Sequence, residues 1–370
     1  MGCRDWVVGA IRKIEADITR SADTHLIPCT PPGMPEITIY LKDETTHLTG
    51  SLKHRLARSL FLYGLASGYI HEGTTVVEAS SGSTAISEAY FAQLIGVPFI
   101  AVVPASTSKA KIDAIAFYGG SCHFVENPAD VYDAAHRLAH RTNGYYMDQF
   151  TNAGVATDWR GNNNIAESIF RQMSMEEHPE PKWIVVGAGT GGTSATIGRY
   201  LRYHGACTKL CVVDPERSVF YDAFLGPKAD PCCDECPDTV VEGIGRPRVE
   251  PSFVPEVVDR MVRVPNAASY AGSHFLDQIA GRRYGGSTGT NFYGVMQLAT
   301  ELHARGESGS IVTLACDCGS RYEDSLYNPE WLSSKHVNVV PYLEQLHHAY
   351  ETGEWTQVSV CGIPQVVGND

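Results

Sequence analysis

The chain has 370 residues, of which 43% are hydrophobic and 19% charged, so it is long enough for two globular domains with substantial cores. Its net charge of −13 disfavours nonspecific binding to nucleic acid. No apolar run is long enough to span a bilayer, and the N-terminal residues carry no signal-peptide cleavage pattern. We therefore expect a cytoplasmic protein without membrane or nucleic-acid partners.

In chain order, a helix begins near Lys53, and short apolar strands then alternate with further helices. The strands are predicted at 74–79, 98–104, 121–126, 182–189, 209–216 and 310–317. The helices are predicted at 83–96, 108–120, 128–142, 193–205 and 339–350. Continuous apolar strands separated by helices are typical of parallel sheets that are covered on both faces.

A polar stretch at about residues 150–180 separates two groups of these elements. We therefore predict an α/β fold of two doubly wound, three-layer units with mostly parallel sheets and a ligand cleft between them. The smaller unit is assigned to residues 1–160 and the larger unit to residues 161–370. Whether the N-terminal segment packs on the larger unit is left open.

Eleven cysteines are scattered along the chain, apart from a cluster of Cys232, Cys233 and Cys236. Cys233-x-x-Cys236 has the form of half a zinc site, which Cys207 and Cys211 would have to complete. The sequence contains no second pair with that spacing. We therefore favour a surface loop with reduced thiols and predict no metal site.

Lys53 follows Gly50 and Ser51 at the start of an apolar helical pattern. A cation is disfavoured at this end of a helix, where the dipole is positive, so the amine should lose its proton more easily than usual. A neutral amine can form a Schiff base with a carbonyl compound. The alternative is an ordinary solvated lysine at a helix start.

Five small residues, from Ser80 to Thr84, lie between a predicted strand and a predicted helix. Backbone N–H groups and hydroxyls at a helix N-terminus bind anions. One serine would be enough to cap the helix, so the run of five favours a binding site over a simple cap.

A glycine-rich turn with Gly187, Gly189, Gly191 and Gly192 also lies between a strand and a helix, which favours phosphate binding. The same turn fits the dinucleotide fingerprint, with Asp214 near the position of a ribose-binding acid. The turn alone therefore leaves a dinucleotide and a small phosphorylated cofactor open. A reactive lysine together with a separate phosphate loop describes pyridoxal phosphate, which has an aldehyde and a phosphate.

These motifs resemble, in order, those of the cysteine synthase and cystathionine β-synthase family, whose members are fold type II pyridoxal phosphate enzymes with a tryptophan synthase β-like fold. The similarity extends from about residue 25 to about residue 325. The matching segments are TGSLKHR, SSGST, MDQFTN, GAGTGGT, VEGIG and ACDCGSRY. Six motifs in the family's order are specific, whereas one alone is not.

The resemblance implies a role for each motif, with pyridoxal 5′-phosphate as the cofactor. Lys53 is implied as the Schiff-base lysine and general base. The residues implied to bind the substrate are Ser80, Ser81, Gly82, Thr84, Gln149 and Gly243. The residues implied to bind the cofactor, besides Lys53, are Ser83, Gly189, Thr190, Gly191, Gly192, Thr193 and Cys318.

Two of these positions depart from the family pattern. Ser83 replaces the usual asparagine beside the cofactor ring, so a water could bridge that contact. Cys318 matches the serine at the pyridine nitrogen when Gly319 and Tyr322 set the register, and Asp317 is the alternative. A thiol there would leave the ring a moderate electron sink.

Segments such as EASSGSTAISEAYFAQL and DWRGNNNIAESIF resemble the bacterial L-cysteine desulfhydrases of this family. This resemblance implies β-elimination of L-cysteine to hydrogen sulfide, pyruvate and ammonia, and by analogy a homodimer. The alternatives are a cysteine synthase or another β-replacement enzyme and, from another class, a nicotinamide-dependent oxidoreductase that uses the Gly187–Gly192 turn.

Overall fold

A computed structural model of the chain describes residues 3–226 and 241–358, so the cluster of Cys232, Cys233 and Cys236 lies outside the described residues. The strands are β1 His25–Cys29, β2 Ile37–Asp43, β3 Val76–Glu78, β4 Phe99–Pro104, β5 Ser121–Val125, β6 Tyr145–Tyr146, β7 Trp183–Gly187, β8 Lys209–Pro215, β9 Arg260–Val264 and β10 Gly309–Ala315. The helices are α1 Cys3–Ile18, α2 Lys53–Ala66, α3 Ser83–Ile95, α4 Lys109–Phe117, α5 Val131–Arg141, α6 Gln149–Ala156, α7 Ile165–Met173, α8 Gly192–His204, α9 Phe220–Leu225, α10 Asn266–Ala280, α11 Gly286–Ala304, α12 Pro329–Ser334 and α13 Val340–Thr352.

Four short parallel strands form the sheet of the smaller unit, in the order β5-β4-β3-β6. Val76 and Val77 are both fully buried although they point to opposite faces of β3. Helices α2, α3 and α4 cover the face of Val76, and α5 covers the face of Val77. Burial on both faces explains why these strands read as continuous apolar runs.

Six strands form the sheet of the larger unit, in the order β1-β2-β10-β7-β8-β9. Neighbouring strands are parallel except for the antiparallel pair of β1 and β2. Helices α10, α11 and α13 pack on one face, whereas α7, α8 and α9 pack on the other. The predicted α/β architecture of two units with mostly parallel, doubly covered sheets is confirmed.

The N-terminal segment contributes to both units. Helix α1 packs on α2 and α3 through Ala10 and Ile14, whereas β2 pairs with β10, so that Ile39 lies opposite Ile311. The chain then returns to the smaller unit at α2. The division at residue 160 stays a prediction, because membership of the two sheets does not follow chain order here.

The C-terminal helix α13 packs on α10 and α11, with Leu346 and Ala349 fully buried in the core of the larger unit. This helix therefore covers the core of its own chain. None of the helices that the structure describes is long and apolar enough to cross a membrane.

Candidate active site

A cavity of about 860 Å³ lies between the two sheets, beside residues that follow the carboxyl ends of β3, β4 and β10. The predicted site residues that line it are Lys53, Ser80, Ser81, Gly82, Ser83, Thr84, Gln149, Gly189, Thr190, Gly191, Thr193 and Gly243. Gly192 lies beside it and lines a smaller adjoining cavity. Cys318 lines neither cavity. The structure therefore brings together residues that lie as much as 190 positions apart in the chain.

Lys53 is the first residue of α2 and lies on the cavity wall. Its amine has no hydrogen-bond partner among the residues that the structure describes. Burial lowers the pKa of Lys53, while Cys316 and Asp317 oppose this shift. Since burial also raises the pKa of the Cys316 thiol to about 12, Asp317 supplies most of the opposing negative charge at neutral pH. Burial is therefore the largest cause of the lowered pKa of Lys53, whereas the sequence analysis attributed it to the helix dipole.

The start of α2 is fixed by contacts with the strand end behind it. The backbone N–H of Leu52 donates to the carbonyl of Cys316 at 2.8 Å, and Ser51 forms an isolated β-bridge with Asp317. Two residues after Lys53, the Nε of Arg55 donates to the buried Glu44 at 2.6 Å. These contacts hold the lysine in one position relative to both units.

The loop from Ser80 to Thr84 leads into α3, whose first residue is Ser83. Thr84 is buried, and its hydroxyl donates to the Oε1 of Gln149 at 2.8 Å. Ser80 accepts a hydrogen bond from the backbone of Gly82 at 3.3 Å. The two segments predicted to bind the substrate are thus joined directly, and the helix start offers N–H groups to an anion.

Two buried carboxyl groups lie behind this loop. Glu78 accepts hydrogen bonds from the backbone N–H of Ala79 at 2.7 Å and of Gln149 at 3.0 Å. Glu88, on α3, is fully buried, and no donor among the described residues bonds to its oxygens. Burial raises the pKa of both carboxyls, and each is the other's neighbour. The pair therefore keeps protons at neutral pH.

The glycine-rich turn leads into α8, and Gly191 has a φ of +86°. A Cβ atom on Gly189 would lie 2.3 Å from the carbonyl oxygen of Gly243, and one on Gly191 would lie 2.4 Å from the Cα of Phe253. These positions therefore require glycine. Thr190 and Thr193 also line the cavity, so hydroxyls and helix-start N–H groups meet there.

The wall that follows β10 carries Cys316, Asp317 and Tyr322. The Oδ2 of Asp317 accepts a hydrogen bond from the Tyr322 hydroxyl at 2.6 Å, whereas its buried Oδ1 has no partner among the described residues. Burial raises the pKa of Asp317 to about 6, so it is mostly ionised at pH 7. Ser287, at the start of α11, lines the same cavity.

The two predicted cofactor contacts that depart from the family's residue pattern, Ser83 and Cys318, lie in different surroundings. The Sγ of Cys318 lies 3.2 Å from the Oγ of Ser320, outside the cavity lining. Ser83 lines the cavity, but its hydroxyl accepts a hydrogen bond from Arg321 at 2.7 Å. The structure thus brings Ser83 to the cavity and leaves Cys318 away from it.

Sequence reasoning missed several residues of the cavity wall, among them Ser287 and Arg246. Ser287 lies in GGSTG before an apolar helix, the same mixture of glycine and hydroxyl residues that marked the other two loops. Arg246 directly follows the VEGIG segment, where a cation beside a glycine turn could have been noticed.

A family profile described as pyridoxal-phosphate dependent enzyme matches residues 21–317. The chain belongs to this family. An L-cysteine desulfhydrase of Mycobacterium tuberculosis is 57% identical over 357 residues, which cover 95% of this chain and 96% of that protein. A cysteine synthase of Dictyostelium discoideum is 29% identical over 313 residues, which cover 81% and 80%. The family resemblance expected from the motifs is confirmed, and pyridoxal 5′-phosphate is the cofactor.

The crystal structure of an O-ureido-L-serine synthase superposes with a TM-score of 0.73 at 22% identity, covering 86% of this chain and 98% of that one. At this identity the likeness shows the fold alone. The dinucleotide interpretation is set aside, because Asp214 is fully buried and accepts from the backbone of Tyr221 at 2.9 Å, away from the cavity.

The residues present fit pyridoxal phosphate. The amine of Lys53, which has no hydrogen-bond partner among the described residues, suits its aldehyde, and the turn from Gly189 to Thr193 suits its phosphate. Both line one cavity, which is large enough for the cofactor and an amino acid together.

Proposed function

We propose that the chain is an L-cysteine desulfhydrase, which converts L-cysteine to hydrogen sulfide, pyruvate and ammonia by β-elimination. The observation that carries the proposal is Lys53, an amine of lowered pKa without a hydrogen-bond partner among the described residues, which lines one cavity together with two loops that lead into helix N-termini. The similarity to the Mycobacterium tuberculosis L-cysteine desulfhydrase supports the choice of substrate.

The residues that would hold the cofactor are Lys53, at its aldehyde carbon, and the segment Gly189–Thr193, at its phosphate. When bound, pyridoxal phosphate supplies a ring that accepts electrons from the Cα of the substrate. Ser287, at the start of α11, and Asp317, after β10, are polar groups of the cavity wall that are available to the ring nitrogen. Cys318 is kept as an alternative for that contact.

The residues that would hold the amino acid are in the loop from Ser80 to Thr84, together with Gln149 and Gly243. The N–H groups at the start of α3 orient the substrate carboxylate, and the hydrogen bond between Thr84 and Gln149 keeps the two segments in register. Lys53, once its amine is free, takes the proton from Cα. Burial lowers the pKa of this amine, which favours the neutral form that proton transfer requires.

Product analysis tests the proposal. The purified holoenzyme with L-cysteine alone should release sulfide, pyruvate and ammonia in equal amounts. Cysteine synthase is the second candidate, supported by the Dictyostelium discoideum relative. Formation of L-cysteine from O-acetyl-L-serine and sulfide, without sulfide release from L-cysteine, would assign the chain to that activity instead.

The role of Lys53 is tested by Lys53→Ala, with Lys109→Ala as the control. Both lysines are the first residue of a helix, but Lys109 is exposed and lies outside the cavity lining. Lys53→Ala should lose the cofactor absorbance that borohydride bleaches, and should lose turnover. Lys109→Ala should keep both. Turnover in Lys53→Ala at the wild-type rate would refute the assignment.

A homodimer and a cytoplasmic location complete the proposal. The homodimer is supported by the family resemblance, and light scattering of the purified protein tests it. The cytoplasmic location is supported by six cysteines of the described residues that are free thiols, as expected in a reducing compartment. Cell fractionation tests the location.

A further inference from the structure

Arg246 is held rigidly at the cavity wall. Its Nε donates to the fully buried Glu250 at 2.7 Å, its Nη2 donates to the Tyr132 hydroxyl at 2.5 Å, and its guanidinium carbon lies 4.3 Å from the centre of the Phe150 ring. The side chain is 21% exposed. A guanidinium fixed by three contacts is already oriented before any ligand binds, so little side-chain freedom remains to be lost.

The guanidinium lies on the substrate side of the cavity. Phe150, the ring beneath it, directly follows Gln149, which bonds to Thr84 of the loop predicted to hold the substrate carboxylate. The charge of Arg246 also contributes to the lowered pKa of Lys53. Its Nη1 has no hydrogen-bond partner in the part of the chain that the structure describes, so it has donors left for a ligand.

Arg246 and Arg248 together carry one more charge than the carboxylate that they share. Arg248, two residues along the same loop, also donates to Glu250, at 3.1 Å, so one carboxylate serves two guanidinium groups. Arg248 stacks on the Tyr132 ring and does not line the cavity. The excess positive charge therefore faces the cavity through Arg246.

We propose that Arg246 binds the β-substituent of the substrate and selects amino acids whose β-substituent is an anion or leaves as one. This inference rests on the proposed function. During elimination the Cα proton passes to the Lys53 amine, the Cβ–S bond breaks, and its electron pair leaves with sulfur as hydrosulfide. Arg246 receives that negative charge through charge-assisted hydrogen bonds. It is a specificity-determining residue for this reaction.

The decisive test uses two isosteric ligands that carry no β-leaving group, L-aspartate and L-asparagine. Their dissociation constants are measured by calorimetry on the holoenzyme of the wild type, Arg246→Gln and Arg248→Gln. The wild type and Arg248→Gln should prefer L-aspartate. Arg246→Gln should reduce that preference about tenfold, which corresponds to ~1.4 kcal/mol. The binding of L-asparagine should change little.

A kinetic test follows the leaving group. Arg246→Gln should lower kcat/KM more for L-cysteine than for β-chloro-L-alanine, since chloride departs with less assistance than hydrosulfide. If Arg246→Gln does not fold, Arg246→Lys keeps the charge without the planar fork. This variant should weaken L-aspartate binding and leave L-asparagine binding unchanged.

Three results would overturn the inference: an unchanged ligand preference in Arg246→Gln, an equal loss in Arg248→Gln, or loss of the cofactor from Arg246→Gln. The last result would assign the guanidinium to the cofactor phosphate. The inference and the proposed function fail separately. Preference for L-aspartate without sulfide release from L-cysteine would keep the anion site and reject the desulfhydrase. Sulfide release from L-cysteine without a preference for L-aspartate would keep the desulfhydrase and reject the anion site at Arg246.

Discussion

The buried carboxyl pair predicts how the stability of the smaller unit depends on pH. Glu78 and Glu88 are both fully buried. Among the described residues that shift the pKa of either carboxyl, none is a cation. Burial raises both pKa values above the ordinary glutamate value of 4.5, and Asp148 raises that of Glu78 further. The perturbation is Glu88→Gln, which keeps the shape of the side chain and removes one titrating group.

The sign of the effect follows from proton binding. Above pH 4.5 the unfolded chain releases protons that the folded pair keeps, so stability is greatest below that pH and falls as pH rises towards the raised pKa values. Each retained proton makes the unfolding free energy fall by about 1.4 kcal/mol per pH unit. From pH 6 to pH 8, replacing Glu88 by glutamine should therefore remove at most about 2.7 kcal/mol of this loss of stability.

Thermal unfolding of the wild type and Glu88→Gln at pH 6 and pH 8 measures the difference. In a chain of 370 residues a change of 1 kcal/mol shifts the melting temperature by about 1.3 °C, so the advantage of Glu88→Gln should grow by up to about 3 to 4 °C between the two pH values. Glu72→Gln, at an exposed glutamate of the same unit, is the control and should show no such growth. If Glu88→Gln changes the melting temperature by the same amount at pH 6 and at pH 8, the folded protein does not retain a proton on Glu88 over this range.

Two further predictions concern the cofactor site. Thr193→Val should weaken cofactor binding about tenfold in an absorbance titration while the melting temperature of the apoprotein stays unchanged, because its hydroxyl lines the cavity at the start of α8. Gly191→Ala is the contrasting variant and should destabilise the fold itself, since its Cβ would lie 2.4 Å from the Cα of Phe253. Ser287→Ala should shift the absorbance band of the bound cofactor and slow turnover, whereas Cys318→Ala should leave both unchanged, because only Ser287 lines the cavity. A wild-type spectrum and rate in Ser287→Ala, with altered ones in Cys318→Ala, would return the ring nitrogen to Cys318.

Much of the fold could be predicted from local sequence signals. The strands that begin at Val76 and Trp183 are apolar on both faces, and the helices that follow them begin at runs of glycine and hydroxyl residues. Periodicity and turn chemistry act over a few residues, so they can be read directly from the sequence. The pairing of β2 with β10 could not, because Ile39 and Ile311 carry no local sign that they meet.

At the end of β10, local sequence signals also fail to predict the positions of single side chains. The register of Gly319 and Tyr322 predicts which residue matches a family position, but it does not predict which side chain faces the cavity. Asp317 pairs with Ser51 beside the start of α2, and Cys318 pairs with Tyr284 on another segment. These two backbone pairings direct Asp317 to the cavity and Cys318 away from it.

The remaining unpredictable contacts join the two units around the cavity. Arg246 donates to the hydroxyl of Tyr132, and Lys111 forms an ion pair with Glu242 at 2.9 Å. The sequence does not predict either contact, because each one depends on how the two units pack against each other. The Lys111–Glu242 pair is partly exposed, and such pairs contribute about 0–1 kcal/mol, far less than the buried cores of either unit. The buried ion pair of Arg55 with Glu44 also joins α2 to the segment after β2, and burial makes such a pair matter more than the exposed one, because removing one partner would leave an uncompensated buried charge. The relative position of the two units at the cavity therefore depends mainly on these buried contacts beside the start of α2.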